Sequence, residues 1–352
     1  MPALDTGDLL QTLFLAAAPR LASTTPDARV LFFGARAGSW ISEWPGARFT
    51  CEQGFRPFAD ELQRAGVAPG DGAAGGRFPL VLVLPPRQRD EARAMLARAV
   101  REAGPGGVVV ACQANNEGAR ALEADLARLA GPVESLSRRK CRAVRTAPLD
   151  ETVDASLRAA WEALDAVRPI LDGRHLSRPG LFAWDRIDPG SALLAAHLPA
   201  TLAGDVADLG AGWGYLASEI VRRCVAVTRV DLYEAARRAL EPAHANLVRA
   251  VQEAGRAVEF TLHWHDATRA LPRSYDAIVS NPPFHQGRAD EPALGRAFIA
   301  TAAAALRPQG ALWLVANRHL PYEAMLDARF AAVREVAVAQ GYKVVEAREP
   351  RP

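Results

Sequence analysis

An apolar strand that ends at two consecutive prolines occurs twice in this chain, and it limits the folds that the chain can adopt. The first copy covers residues 78–86 and the second covers residues 275–283. Proline has no amide hydrogen and fixes φ, so a proline pair cannot continue as a central strand of a sheet. Each run therefore predicts a buried strand whose backbone leaves the sheet at its carboxyl end, where open α/β sheets bind their ligands.

Predicted strands and helices alternate around both runs. In the first half the order is a helix over 9–22, a strand over 30–34, the proline-ended strand, a helix over 88–103 and a strand over 108–111. The second half repeats this alternation, with a strand from 206, a helix over 215–223, a strand over 225–231, a helix over 234–254, strands over 258–262 and 275–279, a helix over 293–306 and a strand over 311–315. This pattern is typical of a parallel, doubly wound α/β sheet.

The two halves also match in detail. Residues 33–38 align with 209–214, residues 84–86 align with 281–283, and a glycine precedes the next strand in each half. We interpret the chain as a duplication that holds two tandem Rossmann-like domains. The alternative is two unrelated α/β domains that are alike by chance.

The first copy lacks the polar groups of the second. The first copy has Phe32, Arg36 and Leu84 where the second has Asp208, Gly212 and Asn281. An arginine in place of the middle glycine would block the close approach of a ligand to the backbone. We therefore predict that the N-terminal copy is degenerate and binds no cofactor.

The predicted domains are 1–150 for the first copy, 151–175 for a connecting helix and linker, and 176–352 for the second copy. Segment 178–191 mixes aromatic, acidic and glycine residues. Its composition suits either a lid over a ligand or a structured linker. Ser191 is predicted to begin a helix over 192–197.

Composition bounds the function only loosely. The chain has 352 residues and a net charge of +2, which permits an anionic partner without requiring one. The four cysteines form no C-x-x-C pair, which favours buried thiols in a reducing compartment. We see no signal-peptide pattern and no apolar run of about 20 residues, the length that spans a bilayer. The expected location is the cytoplasm.

A glycine-rich turn follows the first strand of the second copy, with Asp208, Gly210, Gly212 and Gly214 at alternate positions. Such a turn could hold a dinucleotide or the amino-acid part of S-adenosylmethionine. A carboxylate at Asp208 would repel a pyrophosphate and attract a cationic amine or sulfonium. The turn therefore favours S-adenosylmethionine as the cofactor.

Two more carboxylates follow successive strands. Asp231, at the predicted end of the second strand, is expected to accept hydrogen bonds from both ribose hydroxyls. Asp266, after the third strand, is expected to accept from the adenine amino group, with the Ala267 amide beside the ring nitrogen. Each acid alone is more often a strand-end or capping residue, and their joint spacing carries the prediction.

The candidate catalytic residues are Asn281, Pro282, Pro283 and Phe284, directly after the fourth strand. The exocyclic amine of a base is a poor nucleophile because its lone pair is delocalised into the ring. The Asn281 side-chain oxygen and the Pro282 carbonyl could accept its two N–H groups and favour a pyramidal amine, while Phe284 stacks on the base. This chemistry needs positioning and electrostatics, without a metal.

Together these motifs resemble the class I methyltransferases that act on exocyclic amines. More narrowly, the chain resembles the RsmC/RlmG family of ribosomal RNA guanine-N2 methyltransferases, through Phe182, Asp185, Asp188, Gly190 and Ser191, residues 280–287, residues 316–322, and the degenerate first copy with residues 137–141. The resemblance implies that only the C-terminal domain binds S-adenosylmethionine and that Asp188 contributes to that site. It also implies a guanine target in ribosomal RNA, in the small subunit in preference to the large one. We expect the protein to be a monomer.

The resemblance also makes the N-terminal copy a scaffold or RNA-docking domain. The candidate RNA-binding residues are Arg138, Arg139, Lys140, Arg142 and His285. A charge run of this kind is usually a solvated face, and only the RNA hypothesis favours a binding role for it. His263 and His265 alternate on one strand but lack a third ligand, so no metal site is predicted.

Three other functions stay open at this point. The target could be a large-subunit ribosomal RNA guanine. It could instead be a protein glutamine or a DNA adenine, although enzymes of those types usually have tyrosine where Phe284 stands. A non-catalytic ribosome-assembly protein would have no use for the glycine turn and Asn281.

Overall fold

A computed structural model describes residues 6–25, 28–44, 48–70, 77–283, 285–286, 289–290 and 292–351. The chain divides into two compact units, Met1–Ala166 and Val167–Pro352. This division falls inside the predicted connector, residues 151–175. Within the described part of the chain, no helix is both long enough and apolar enough to cross a membrane.

The N-terminal unit is a seven-stranded sheet with helices on both faces. The strand order is β3-β2-β1-β4-β5-β7-β6, and only the β5–β7 and β6–β7 pairs are antiparallel. The elements are α1 Thr6–Ser23, β1 Arg29–Phe33, α2 Trp40–Glu43, β2 Arg48–Glu52, α3 Arg56–Arg64, β3 Pro69–Gly70, β4 Leu80–Val83, α4 Arg89–Ala103, β5 Val108–Ala114, α5 Ala119–Ala130, β6 Val133–Arg138, β7 Cys141–Thr146 and α6 Ala155–Glu162. Helices α1 and α3 pack on one face, and α4 and α5 pack on the other.

The C-terminal unit has the same architecture. Its seven-stranded sheet has the order β12-β11-β10-β13-β16-β18-β17, in which only the pairs that involve β18 are antiparallel. The elements are β8 Arg168–Ile170, β9 His175–Ser177, α7 Pro189–His197, β10 Ala203–Leu209, α8 Tyr215–Arg223, β11 Ala226–Glu234, α9 Leu240–Ala254, β12 Glu259–Trp264, β13 Tyr275–Ser280, β14 His285–Gln286, β15 Ala289–Asp290, α10 Pro292–Ala305, β16 Leu306–Asn317, α11 Glu323–Arg329, β17 Phe330–Ala339 and β18 Tyr342–Pro350. Helices α7, α8 and α9 cover one face, and α10 and α11 cover the other.

The prediction of two tandem Rossmann-like sheets is confirmed, because both units place their strands in the same order. The register also agrees between the units. Phe33 pairs with Val83 in the first sheet, and Leu209 pairs with Ser280 in the second. Leu84 and Asn281 therefore occupy equivalent positions, each directly after the strand beside the glycine turn.

Two predicted boundaries next to the candidate site are wrong. Strand β11 continues past Asp231 to Glu234, and the helix predicted from 234 begins only at Leu240. Helix α7 begins at Pro189, and Asp188 rather than Ser191 caps it, since its Oδ2 accepts the Ser191 amide at 2.8 Å. Proline is favoured at the first helical position, where its missing amide costs no hydrogen bond.

Candidate active site

The glycine turn between β10 and α8 needs each of its three glycines for a different reason. All three have positive φ, at +75° for Gly210, +54° for Gly212 and +85° for Gly214. A Cβ on Gly210 would lie 3.3 Å from the Phe298 ring, and one on Gly214 would lie 3.2 Å from Ala243 Cα. A Cβ on Gly212 would meet no described heavy atom within 4 Å. Gly212 therefore faces open space, where a ligand can approach the backbone closely.

Asp208 is fully buried at the end of β10, beneath this turn. Its Oδ2 accepts the Ala217 amide at 3.1 Å, and its Oδ1 has no partner among the described residues. Burial raises the pKa of Asp208 to about 7, and the nearby charge of Glu234 adds to the shift. Because an unpaired buried carboxylate oxygen is costly, this atom fits a cationic amine of a bound ligand.

Glu234 occupies the place that the sequence had assigned to Asp231. It ends β11, and its Oε2 accepts the Gly212 amide at 2.8 Å while its Oε1 accepts the Ala236 amide at 2.6 Å. The carboxylate therefore lies against the glycine turn, at the carboxyl end of the neighbouring strand. Leu232 and Tyr233 are good strand formers, so the sequence does favour a strand that continues to Glu234. The predicted strand ended too early, at Asp231.

The expectation that Asp231 lies at a strand end is wrong. Asp231 is in the middle of β11 and only 1% exposed. Its Oδ2 accepts the Tyr275 hydroxyl at 2.9 Å, and that hydroxyl lies 2.5 Å from the Tyr233 hydroxyl. These partners place Asp231 in a buried network, away from the strand end where ribose hydroxyls would bind.

Asp266 lies after β12, next to the end of β11. The two strand ends are joined where the His265 amide donates to the Glu234 carbonyl at 2.9 Å. Asp266 Oδ1 accepts the amide and the hydroxyl of Thr268, at 2.9 and 2.7 Å. Ala267 is buried beside it. Asp208, Glu234 and Asp266 thus mark the carboxyl ends of three adjacent strands.

The side-chain amide of Asn281 is held in one orientation by two acceptors. Its Nδ2 donates to Asp188 Oδ2 at 2.9 Å and to Ser191 Oγ at 2.8 Å. Since both donors of the amide are used, its Oδ1 must point the other way, and no described residue hydrogen-bonds to it. Pro282 is buried and Pro283 is exposed. Phe284 lies outside the described residues, and His285 begins β14 without a described side chain.

Asp188, predicted to contribute to the cofactor site, has other partners. The bonds recorded for its carboxylate are those to Ser191 and Asn281. It therefore links the start of α7 to the candidate catalytic asparagine. These residues are 93 positions apart in the chain, so the contact could not be read from sequence spacing.

The segment before α7 that contains Leu181, Phe182 and Ala183 is held against the domain, but the ring of Phe182 is exposed to solvent. The Ala183 carbonyl accepts the Trp213 indole N–H at 3.3 Å, and Ala183 has a positive φ of +46°. Leu181 packs with Trp213 in a buried cluster, whereas Phe182 is 60% exposed. An exposed ring on an anchored segment suits stacking on a nucleotide base.

Salt bridges engage part of the predicted RNA-binding run. Arg139 pairs with Asp8 at 2.9 Å, and Arg142 pairs with Glu123. Arg138 and Lys140 are exposed at the β6–β7 turn, where Arg139 and Lys140 both have positive φ. Within the described ranges, no group of three metal-binding side chains comes together.

Comparison with known proteins extends this description. Residues 172–346 match the family model described as the methyltransferase small domain. The chain is 28% identical to the ribosomal RNA small subunit methyltransferase C of Pectobacterium atrosepticum over 333 residues, which are 92% of this chain and 91% of that protein. It is 34% identical to the Pseudomonas aeruginosa protein of the same name over 182 residues, 51% of this chain and 53% of that protein.

A solved structure shares the whole fold. The T. thermophilus 16S rRNA N2 G1207 methyltransferase RsmC, in complex with AdoMet and guanosine, superimposes with a TM-score of 0.77 at 23% identity, over 98% of this chain and 93% of that one. The strand order, the acid-led glycine turn and the Asn-Pro-Pro exit together define a class I S-adenosylmethionine-dependent methyltransferase. Within that class, the chain is similar over nearly its whole length to proteins of the RsmC family.

Proposed function

We propose that this protein transfers a methyl group from S-adenosylmethionine to the exocyclic N2 amine of a guanine in 16S ribosomal RNA. The observation that carries the proposal is the fixed Asn281 amide, directly after the strand that pairs with the glycine-turn strand. Its Oδ1 has no hydrogen-bond partner among the described residues. The names of the related proteins, which specify the small-subunit RNA and, in one case, its guanine N2, support the same target.

The chain's own groups fit the cofactor. Asp208 Oδ1 is an unpaired acceptor for the cationic amino-acid part, since its burial makes an ion partner favourable. We assign Glu234 to the ribose hydroxyls and Asp266 to the adenine amino group, because Glu234 ends the strand beside the glycine-turn strand and Asp266 follows the next strand outward. Open space over Gly212 gives the ligand access to the backbone.

Catalysis then depends on how the amine is held. S-adenosylmethionine, when bound, supplies the methyl group on a sulfonium. Asn281 Oδ1 and the Pro282 carbonyl accept the two N–H groups of the guanine amine, which exposes its lone pair toward that methyl carbon. The amine would take up the methyl group that the sulfonium supplies, and the proton left on N2 would pass to solvent.

The N-terminal unit has a different proposed role. We assign residues 1–150 to a degenerate, cofactor-free copy that docks RNA, residues 151–175 to the connector and residues 176–352 to the catalytic domain. Arg138 and Lys140, which are exposed at the β6–β7 turn, are candidates for contacts to the phosphate backbone. The protein is proposed to act as a monomer in the cytoplasm, on the small ribosomal subunit.

Methyl transfer from labelled S-adenosylmethionine tests this function directly. Purified protein is incubated in parallel with 30S particles, 16S rRNA, 50S particles and 23S rRNA, and the modified nucleoside is identified by mass spectrometry. The expected product is N2-methylguanosine in 16S rRNA, either in the particle or in the free RNA. Label in 23S rRNA would move the target to the large subunit, and label only in protein would contradict the RNA assignment.

A further inference from the structure

An open pocket in the N-terminal unit is lined by three arginines and three hydroxyl residues. Its volume is about 380 Å³, and its polar lining residues are Arg20, Arg29, Arg77, Ser23, Thr24 and Thr25. No aspartate or glutamate is among the described residues that line it. Three like charges around one open space raise the electrostatic potential there, and a bound anion relieves that repulsion.

Contacts with neighbouring residues restrict the side chains of all three arginines. Arg20 donates to the carbonyls of Pro79 at 3.4 Å and Gly106 at 3.3 Å. The Arg29 guanidinium lies 4.4 Å over the ring of Phe78. The stem of Arg77 rests on Gly104, where an added Cβ would lie 3.0 Å from Arg77 Cδ. Less side-chain entropy is therefore lost when these groups bind a ligand.

Several other arginines of the same unit are neutralised by carboxylates. Arg98 pairs with Glu52 at 2.6 Å, and Arg93 pairs with Asp125 at 3.0 Å. In the described part of the chain, Arg20, Arg29 and Arg77 have no acidic partner. The carboxyl end of α1 also faces this region, but a helix end carries only about half a unit of negative charge. Three full positive charges exceed it.

The pocket is separate from the turn that corresponds to the cofactor site. Arg29 begins β1, and Arg77 comes shortly before Leu80, which pairs with Val30 at the start of β4. The pocket therefore lies at the amino ends of these strands. The glycine turn at Gly34 follows their carboxyl ends, so the pocket is not a remnant of a cofactor site.

We propose that this pocket binds the phosphate backbone of the RNA substrate. Guanidinium groups bind phosphate oxygens through paired hydrogen bonds, and the open shape admits a chain rather than enclosing a small molecule. The aromatic ring at the site, Phe78, is buried beneath Arg29 and unavailable for base stacking. The contact is therefore to backbone and independent of sequence. This inference rests on the proposed RNA methyltransferase function.

The test compares two double variants of equal charge change. Arg29→Gln with Arg77→Gln removes two pocket charges, and Arg120→Gln with Arg128→Gln removes two exposed charges from α5, which does not line the pocket. Affinity for 16S rRNA and for 30S particles is measured at several KCl concentrations. Thermal unfolding and S-adenosylmethionine binding confirm that each variant is folded.

For the pocket variant we expect at least tenfold weaker RNA binding and unchanged kcat at saturating RNA. The slope of log affinity against log salt should become shallower by about two units, since each phosphate that the protein neutralises contributes about 0.9 to that slope. Arg29→Lys with Arg77→Lys should restore most of the slope.

Affinity and slope that match the control variant would overturn the proposal, as would inorganic phosphate that saturates the pocket while RNA binding is unchanged by the substitutions. Wild-type protein that methylates no RNA would instead overturn the proposed function.

Discussion

The glycine turns of the two units share the same backbone hydrogen bonds but differ in the side chains around them. Ala35 donates its amide to the carbonyl of Glu52 at 3.2 Å, as Ala211 does to that of Tyr233 at 3.3 Å. One residue later in each strand exit, Gln53 Oε1 accepts the Phe55 amide at 2.8 Å, as Glu234 Oε1 accepts the Ala236 amide at 2.6 Å. Gln53 therefore occupies the position of Glu234.

The difference lies in what the equivalent side chains can bind. Gln53 donates its Nε2 to the Ala35 carbonyl at 2.7 Å, whereas the other oxygen of Glu234 accepts from Gly212. Phe32, in the place of Asp208, packs against Phe14 and Trp40 at ring distances of 5.9 and 5.7 Å. The fold thus keeps its geometry where these carboxylates and the amide are replaced, which indicates that those groups serve binding and catalysis rather than folding.

The largest expected effect on catalysis comes from replacing the residue directly after β13 with its counterpart in the first unit. Asn281→Leu, which copies Leu84, removes one acceptor for the target amine. We expect kcat to fall by about 10²–10³-fold, the range seen when one preorganised hydrogen bond to a reacting group is removed. Isothermal titration should show cofactor affinity within about threefold of wild type. A parallel loss of cofactor binding would make Asn281 a structural residue.

The next change tests which acid serves the ribose. Glu234→Gln, which copies Gln53, should weaken S-adenosylmethionine binding by about 10–100-fold, because a charged acceptor contributes about 1.5–3 kcal/mol. Asp231→Asn is the matched control. It should destabilise the fold through the buried Tyr275 contact, by about 1–3 kcal/mol, with cofactor affinity little changed. The reverse pattern in titration and urea unfolding would restore Asp231 as the ribose ligand.

A smaller effect is expected from the residues that orient Asn281. Ser191→Ala and Asp188→Asn each weaken one hydrogen bond to its Nδ2, so kcat should fall by up to about tenfold for each. In the second variant the new amide oxygen can still cap α7. Cofactor affinity should stay constant, and Asp185→Asn, an exposed acid nearby, should leave kcat unchanged. If cofactor affinity falls while kcat is unchanged, Asp188 belongs to the cofactor site.

The smallest expected effect is a pH dependence of stability and cofactor binding that comes from Asp208. The first unit has Phe32 at this position, which does not titrate. Burial places the pKa of Asp208 near 7 in the folded protein, above its unfolded value of 3.8. Between these values the folded state holds a proton that the unfolded state lacks, so this group's contribution to stability falls as pH rises toward about 7.

Ionised Asp208 attracts a cation, so cofactor affinity should rise severalfold between pH 6 and about 7.5, and Asp208→Asn should flatten that rise. Titration calorimetry across this range measures both proteins. Equal pH profiles for the two would mean that Asp208 does not titrate in the free enzyme.

The sequence was sufficient where function depends on residues that are close together in the chain. Asp208, the three glycines and Asn281 follow strands whose apolar runs are plain, and the duplication followed from repeated spacing. The structure was needed where a partner is distant. The end of β11 depends on pairing with β10 and β12, so Glu234 was missed and Asp231 was wrongly placed.

Distance in the chain also hid the contacts of charged groups. Asp188 reaches Asn281 across 93 positions, and Arg139 reaches Asp8 across 131. Neither pairing has a local pattern. Strands β2, β6, β7, β17 and β18 were not predicted either, because polar and charged residues interrupt their apolar runs.

The number of cofactor molecules bound by each chain tests the central claim most directly. Calorimetric titration with S-adenosylmethionine should give one site in wild type and none in Gly212→Arg, which copies Arg36. Gly255→Arg is the matched control, because Gly255 also has a positive φ of +63° and open space around it. That variant should keep the single site. Two sites in wild type, or a site that survives in Gly212→Arg, would contradict the account.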